Sequence, residues 1–322
     1  SPKTREPDRK KDTDVQKITV VGAGHVGATA AMRLAGREVA REVVLVDIVE
    51  GLASGKALDQ WESAPVEATD TRLTGTTEYG PTEGSDIYVV TGGLARKPGM
   101  SRADLVAKNA EIITDISENI ASHSPESIVI MVTNPLDVMA YVAKEVTGFP
   151  RERVMGMAGV LDTARFRSFI AAELDVSVQD VQALVLGGHG DSMVPLVSSV
   201  TVGGIPVTEL MERSRLEEIV DRTRKAGGEI VDLLGDGSAY FAPSAAVAEM
   251  CESIARDQKR VLPCAAWVQG EYGLEDLFVG VPCKLGRGGM EEIFEVDLDA
   301  DEQSALEASA AEVRETMDQV DA

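Results

Sequence analysis

From Lys17 onward, short apolar runs rich in β-branched residues alternate with longer stretches whose apolar positions recur at helical spacing. Residues 18–21, 43–46, 87–90 and 128–132 read as strands, and 72–74 as a weaker fifth. Residues 27–34 and 104–122 read as helices between them. Strands that are apolar on both faces and separated by helices predict an α/β arrangement, a doubly wound parallel sheet covered by helices. After about Gly159 the pattern changes. A helix over 161–174 is followed by strands over 181–186 and 194–202, then by turns at 203–204 and 235–237, which predicts a mixed α+β region. The last helix repeats Leu306, Ala310, Val313, Met317 and Val320 at four-three spacing, an amphipathic face expected to dock on the body. The domain expectation is therefore a charged tail over 1–15, a first domain over 16–159 and a second over 160–322.

Residues 1–15 mix charges with two prolines and almost nothing apolar, so they are expected to stay disordered. The 322 residues are 44% hydrophobic, enough for real cores. No apolar run approaches the roughly 18 residues of a membrane helix, and the N-terminus lacks the apolar core of a secretory signal. The three cysteines, Cys251, Cys264 and Cys283, form no C-x-x-C pair, which favours buried reduced thiols in a cytoplasmic protein over disulfides or a metal site. A net charge of −23 argues against nucleic acid and anionic lipid as partners. The charge fits either a protein adapted to high salt or a merely acidic one, and arginine outnumbering lysine leans toward the first.

Four segments carry chemistry. Gly22-Ala23-Gly24-His25-Val26-Gly27 is a G-x-G-x-x-G between a strand and a helix, with Asp47 ending the next strand about 20 residues on. Gly22 allows the tight turn, Gly24 close approach to a pyrophosphate and Gly27 close packing, while a carboxylate at Asp47 favours NAD over NADP. His25 occupies a variable position of the motif. Gly187-Gly188-His189-Gly190-Asp191 follows an apolar strand, and its small residues leave room beside an imidazole suited to proton transfer near neutrality. The sequence by itself leaves His189 open between catalytic and structural roles. Asp162 and Arg165, three apart on a helix, share one face and could serve His189 and a carboxylate, or form an ordinary intrahelical ion pair. Arg96 and Arg102 lie on the glycine-rich loop Gly92-Gly93-Leu94-Ala95-Arg96-Lys97-Pro98-Gly99, which runs on to Arg102. The loop reads as a lid closing over an anion with more than one acidic group.

These segments, together with VTNPLDV and EYGLEDLFVGVP, occur in an order that resembles the lactate/malate dehydrogenase family over roughly residues 17–320, nearest to its lactate-dehydrogenase-like malate dehydrogenases. The resemblance implies a Rossmann domain, a mixed catalytic domain, and reversible NAD-dependent hydride transfer between (S)-malate and oxaloacetate. It implies His189 as the acid/base and Asp162 as its partner. Arg165 becomes the carboxylate anchor and Arg102 the lid arginine on the carbonyl. Asn134 contacts substrate and nicotinamide, and Ser238 lies nearby on a looser match. The cofactor positions it implies are Gly22, Gly24, His25, Val26, Gly27, Asp47, Thr91, Gly92, Gly93, Asn109, Val132 and Asn134; no metal is expected. Arg96 stands where lactate enzymes of the family carry a neutral glutamine, and so favours oxaloacetate over pyruvate; a solvated loop charge is the alternative. A homo-oligomer, tetramer or dimer, is expected. The rival readings are an L-lactate dehydrogenase, a non-catalytic NAD-binding protein and, with no metal ligands to support it, an NAD-dependent glycosidase.

Overall fold

The structure, a computed structural model, describes residues 15–94 and 101–321. In the first half β1 (Lys17–Val21), α1 (His25–Gly36), β2 (Glu42–Val46), α2 (Leu52–Glu67), β3 (Arg72–Thr76) and β4 (Ile87–Val90) follow one another. They continue with α3 (Arg102–His123), β5 (Ile128–Met131), α4 (Leu136–Thr147) and β6 (Val154–Gly156). These six strands pair in parallel in the order 6-5-4-1-2-3. Every residue of β4 and β5 is buried, as expected for strands covered on both faces. The direction of strand succession reverses between β1 and β4, which opens a crevice at the carboxyl ends of these strands, the usual place for a ligand in such a sheet.

The second half begins with α5 (Gly159–Leu174). Four short strands follow, β7 (Val181–Gln182), β8 (Val185–Leu186), β9 (Val194–Pro195) and β10 (Thr201–Val202), then β11 (Ile205–Pro206), α6 (Arg213–Leu234) and α7 (Phe241–Ala255). The single strands expected over 181–186 and 194–202 are each broken. β7 pairs with β10 and β8 with β9, in two different sheets, so the chain changes sheets at 183–184 and again around the helical turn Val197–Ser199.

The chain ends in β12 (Arg260–Gln269), β13 (Glu275–Gly286), β14 (Gly289–Ile293) and α8 (Ala300–Asp321). The three strands form an antiparallel meander whose first member pairs with β6 at Ala265 and Gly156. The parallel sheet thereby continues into a sheet of nine strands. One apolar core runs through both halves, from Ile18 to Met317, and a second, around Phe166, Val181, Val202 and Leu216, fastens α5 and α6 to the small sheets. Leu306, Ala310, Val313 and Met317 of α8 are buried, as their spacing predicts, against α3, α4 and β13. Cys251, Cys264 and Cys283 are buried free thiols. Among the described residues no helix is long and apolar enough to cross a membrane.

Candidate active site

The crevice between β1 and β4 begins with a glycine turn. Gly22 sits at φ +101°, in the region that favours glycine, and its N–H donates to the Val46 carbonyl at 2.8 Å. Gly27 packs so closely on Gly22 that a Cβ would strike the Gly22 carbonyl, whereas a Cβ on Gly24 would meet nothing within 4 Å. The first contact locks α1 onto the turn. The open space over Gly24 is what a pyrophosphate needs, at a helix N-terminus whose N–H groups and dipole favour negative charge.

Asp47 ends β2 beside this turn, held by the N–H groups of Ala23 (2.7 Å to Oδ2) and Val49 (2.9 Å to Oδ1). A carboxylate fixed there suits a ribose diol and repels a 2′-phosphate. A cavity of about 580 Å³ runs along the strand ends, lined by Gly22, Gly24, Asp47, Thr91, Gly92 and Gly93. Its apolar walls, Ile48, Val49, Ile112 and Ile116, suit a flat heteroaromatic base. Polar loop, fixed carboxylate and apolar slot together fit a dinucleotide.

Other expected cofactor positions play different parts. Asn109 is fully buried: its Oδ1 accepts the Leu94 N–H at 2.8 Å, and its Nδ2 donates to the carbonyls of Leu94 (3.1 Å) and Asn134 (2.7 Å). It ties together the two loops that flank the crevice. Val132 is buried and its N–H donates to the Val90 carbonyl. The exposed ring of His25 lies tilted against Tyr240, centroids 5.0 Å apart, and neither His25 nor Val26 lines the cavity. Thr133, which no motif assigns a role, bonds the Gly92 carbonyl at 2.6 Å and so shapes the same crevice.

Around His189 the structure joins segments remote in the chain. His189 Nδ1 and Asp162 Oδ2 are 2.8 Å apart, and Arg165 Nη1 lies 3.6 Å from Asp162 Oδ1. The Asp162 side chain is 2% exposed, and those of His189 and Arg165 are 13% exposed. With the carboxylate accepting from Nδ1–H, Nε2 is the ring atom left for a ligand. Burial works against the imidazolium, but the charge of Asp162, its hydrogen bond and the charge of Asp137 outweigh burial and the opposing Arg165. The imidazole therefore titrates above its ordinary value. Burial also pulls the Arg165 guanidinium downward, and Asp162 opposes that pull. Among the described residues, Arg165 Nε has no hydrogen-bond partner in its buried position.

A second cavity, about 550 Å³, is lined by Asn134, Arg165 and His189 together with Met193, Arg224, Lys225, Gly227 and Gly228. Of these, the α6 residues Arg224, Lys225, Gly227 and Gly228 carry no sequence motif of their own. Arg224 Nε donates to the Met193 carbonyl at 3.2 Å and anchors the His189 loop to α6. Ser238 lies in the exposed turn after α6 and lines neither cavity. Arg102 is the first residue of α3, whose start is pinned by a capping box: Ser101 Oγ accepts the Asp104 N–H at 3.0 Å, and the Ser101 N–H donates to Asp104 Oδ2 at 3.1 Å. Arg96 lies outside the described residues.

A nucleotide crevice at the strand switch point and a histidine–aspartate–arginine cluster beside a polar cavity define a nicotinamide-dependent dehydrogenase architecture. Residues 16–156 match the lactate/malate dehydrogenase NAD binding domain, and residues 159–322 match the α/β C-terminal domain of the same family. The chain belongs to the lactate/malate dehydrogenase family. Among its relatives, malate dehydrogenase from Salinibacter ruber is 63% identical over 94% of this chain and 96% of that one. Malate dehydrogenase from Chloroherpeton thalassium is 60% identical over 94% and 98%. The solved structure of the Salinibacter ruber malate dehydrogenase superposes with a TM-score of 0.92, covering 95% of this chain and 98% of that one at 60% identity. The lactate dehydrogenase of Cryptosporidium parvum, complexed with lactic acid and NAD, superposes equally well at 0.92, covering 96% and 99% at 40% identity.

Proposed function

We propose that this chain is an NAD-dependent malate dehydrogenase interconverting (S)-malate and oxaloacetate. The observation that carries the reading is the 2.8 Å contact between His189 Nδ1 and a buried Asp162, with Arg165 against the same carboxylate and all three beside a cavity. In the oxidation direction His189 Nε2 takes the hydroxyl proton of malate, and Asp162 steadies the imidazolium that results. Arg165 grips the carboxylate next to the reacting carbon by two parallel N–H bonds. Asn134 orients the substrate, and Arg102 stabilises the polarity that develops on the carbonyl oxygen. Bound NAD⁺ supplies the acceptor for the hydride that leaves C2. Gly24 and Asp47 hold the dinucleotide, the one by leaving room and the other by its acceptor oxygens.

Specificity for a dicarboxylate rests on Arg96. A second substrate carboxylate without a cation would be buried unpaired, at a cost of several kcal/mol. We expect the enzyme to oxidise NADH with oxaloacetate far faster than with pyruvate. Arg96→Gln should narrow that ratio by about 10²-fold, since a charge-assisted pair is lost for one substrate only. Pyruvate preference in the parent enzyme would make it a lactate dehydrogenase, and a ratio unchanged by the substitution would remove Arg96 from specificity.

The apolar side chains Leu58, Trp61 and Val66 that α2 leaves exposed support a homo-oligomer. Its three buried thiols suit a reducing compartment, and we place it in the cytoplasm. The −23 charge supports a salt-adapted surface. Thermal stability should therefore rise from low to molar KCl, and KM for the dianionic substrate should change with it. Full stability without salt would mark the acidity as incidental.

A further inference from the structure

The loop that presents His189 is clamped from three sides. Gly187 exchanges two main-chain hydrogen bonds with Gly280 of β13, both 2.9 Å. The Gly188 N–H donates to Ser309 Oγ of α8 at 2.8 Å. The N–H of His189 itself donates to Asp137 Oδ2 in the first turn of α4, also at 2.8 Å. Two of the three partners are neutral and the third is a carboxylate, 6% exposed, whose other oxygen is buried without a hydrogen-bond partner among the described residues. For holding a main-chain N–H, a neutral acceptor would serve without the penalty of burying a charge. An anion in this place does something a neutral clamp cannot. It adds a second negative charge beside the imidazole that Asp162 already contacts.

We propose that Asp137 is a positioning residue for proton transfer, its buried carboxylate both fixing the main chain of His189 and joining Asp162 in stabilising the protonated ring. The inference rests on the reading of His189 as the acid/base. A cavity of about 40 Å³, bounded by Asp137, His189, Ser192, Glu312 and Thr316, adjoins the pair. It has room for about one water molecule.

The charges around His189 come from four elements. α5 supplies Asp162 and Arg165, α4 supplies Asp137, and α8 supplies Glu312 across the small cavity. On the outer cavity α6 adds two cations, Arg224 and Lys225, and two anions, Glu229 and Asp232, while Asp191 lies on the histidine's own loop. Burial pushes the Asp137 carboxyl up to about 6, against the His189 N–H that favours its charged form. Above that pH it is an anion. It then favours imidazolium over imidazole, so its removal lets His189 lose its proton at lower pH.

The test is Asp137→Asn, which keeps an acceptor oxygen for the N–H and deletes the charge. Malate oxidation needs neutral His189 and oxaloacetate reduction needs the protonated form. The acid limb of kcat/KM for the first and the alkaline limb for the second should therefore move together to lower pH, by about half a unit or more. Ser309→Ala loosens the same loop without touching a charge, and should lower kcat while leaving both limbs in place. Because only three histidines are present, the His189 ring can also be titrated directly by NMR in the full chain, and the same downward shift is expected there. Were the amide variant unable to fold, Asp137→Ser, a small neutral acceptor, is read in the same way.

Limbs and ring titration that coincide with those of the parent enzyme would overturn the role of Asp137. A parent enzyme that turns over neither substrate would instead overturn the reading of His189, and the NMR shift would still decide the electrostatic claim.

Discussion

Replacing His189 with alanine lowers kcat for malate oxidation by about 10²–10⁴-fold, the usual contribution of a placed acid/base, and leaves the dissociation constant of NADH within about twofold. The split follows from geometry. His189 faces the cavity shared with Asn134 and Arg165, whereas the cofactor crevice is lined by Gly22, Gly24 and Asp47. An imidazole that only filled space would, on truncation, lower stability and leave the chemical step largely intact. Steady-state kinetics beside a fluorescence titration of NADH separates the two cases. Turnover near that of the parent enzyme would remove His189 from the mechanism.

Arg165→Lys should be damaging although it keeps the charge. An ammonium replaces a planar fork with a point donor, so one of two parallel hydrogen bonds to the substrate carboxylate is lost. One charge-assisted bond and the mispairing it leaves amount to about 2–4 kcal/mol, or roughly 30–1,000-fold in kcat/KM. Because the carboxylate is bound in ground and transition states alike, most of the loss should fall on KM. The residue also adjoins Asp162 at 3.6 Å and opposes protonation of His189. A lysine that stayed near Asp162 would preserve that balance, and the pH limbs should hardly move. A KM within twofold of the parent value would show that the carboxylate is anchored elsewhere.

The two substitutions act at residues that local sequence already singled out, although neither role is visible locally. Asp162 and Arg165 could have been a plain intrahelical pair, and the three-residue spacing is the same either way. The His189 contact to Asp162, 27 positions away, turns the pair into part of a site. Asn109 also gains its partners only through the fold: its side chain bonds the backbones of Leu94 and Asn134, fifteen and twenty-five positions away.

Asp137 carries no signal of its own in the sequence. It reads as an ordinary first-turn acid of a helix that begins after a proline, favourable to the helix dipole wherever it points. Only the packing of α4 against the histidine loop aims it at an N–H 52 positions away. The antiparallel extension of the sheet was hidden for a related reason. In β12 and β13 the middle residues are buried almost without interruption, so there is no alternation to announce a strand, and short apolar runs fit helix or strand equally well.

By itself the sequence determined what depends on neighbours in the chain. This covers the alternating elements of the first half, the glycine turn with its carboxylate on the next strand, the amphipathic face of α8, and the shared face of Asp162 and Arg165. Those are consequences of backbone sterics and of side-chain periods of two and 3.6 residues, which act over a few positions. Tertiary structure alone decided which of these features meet: the nine-strand continuation of the sheet, the His189–Asp162 contact, and the clamp from Gly280, Ser309 and Asp137. Such meetings are set by how whole helices and strands pack to exclude water, a property of the assembled core that no single stretch of chain contains.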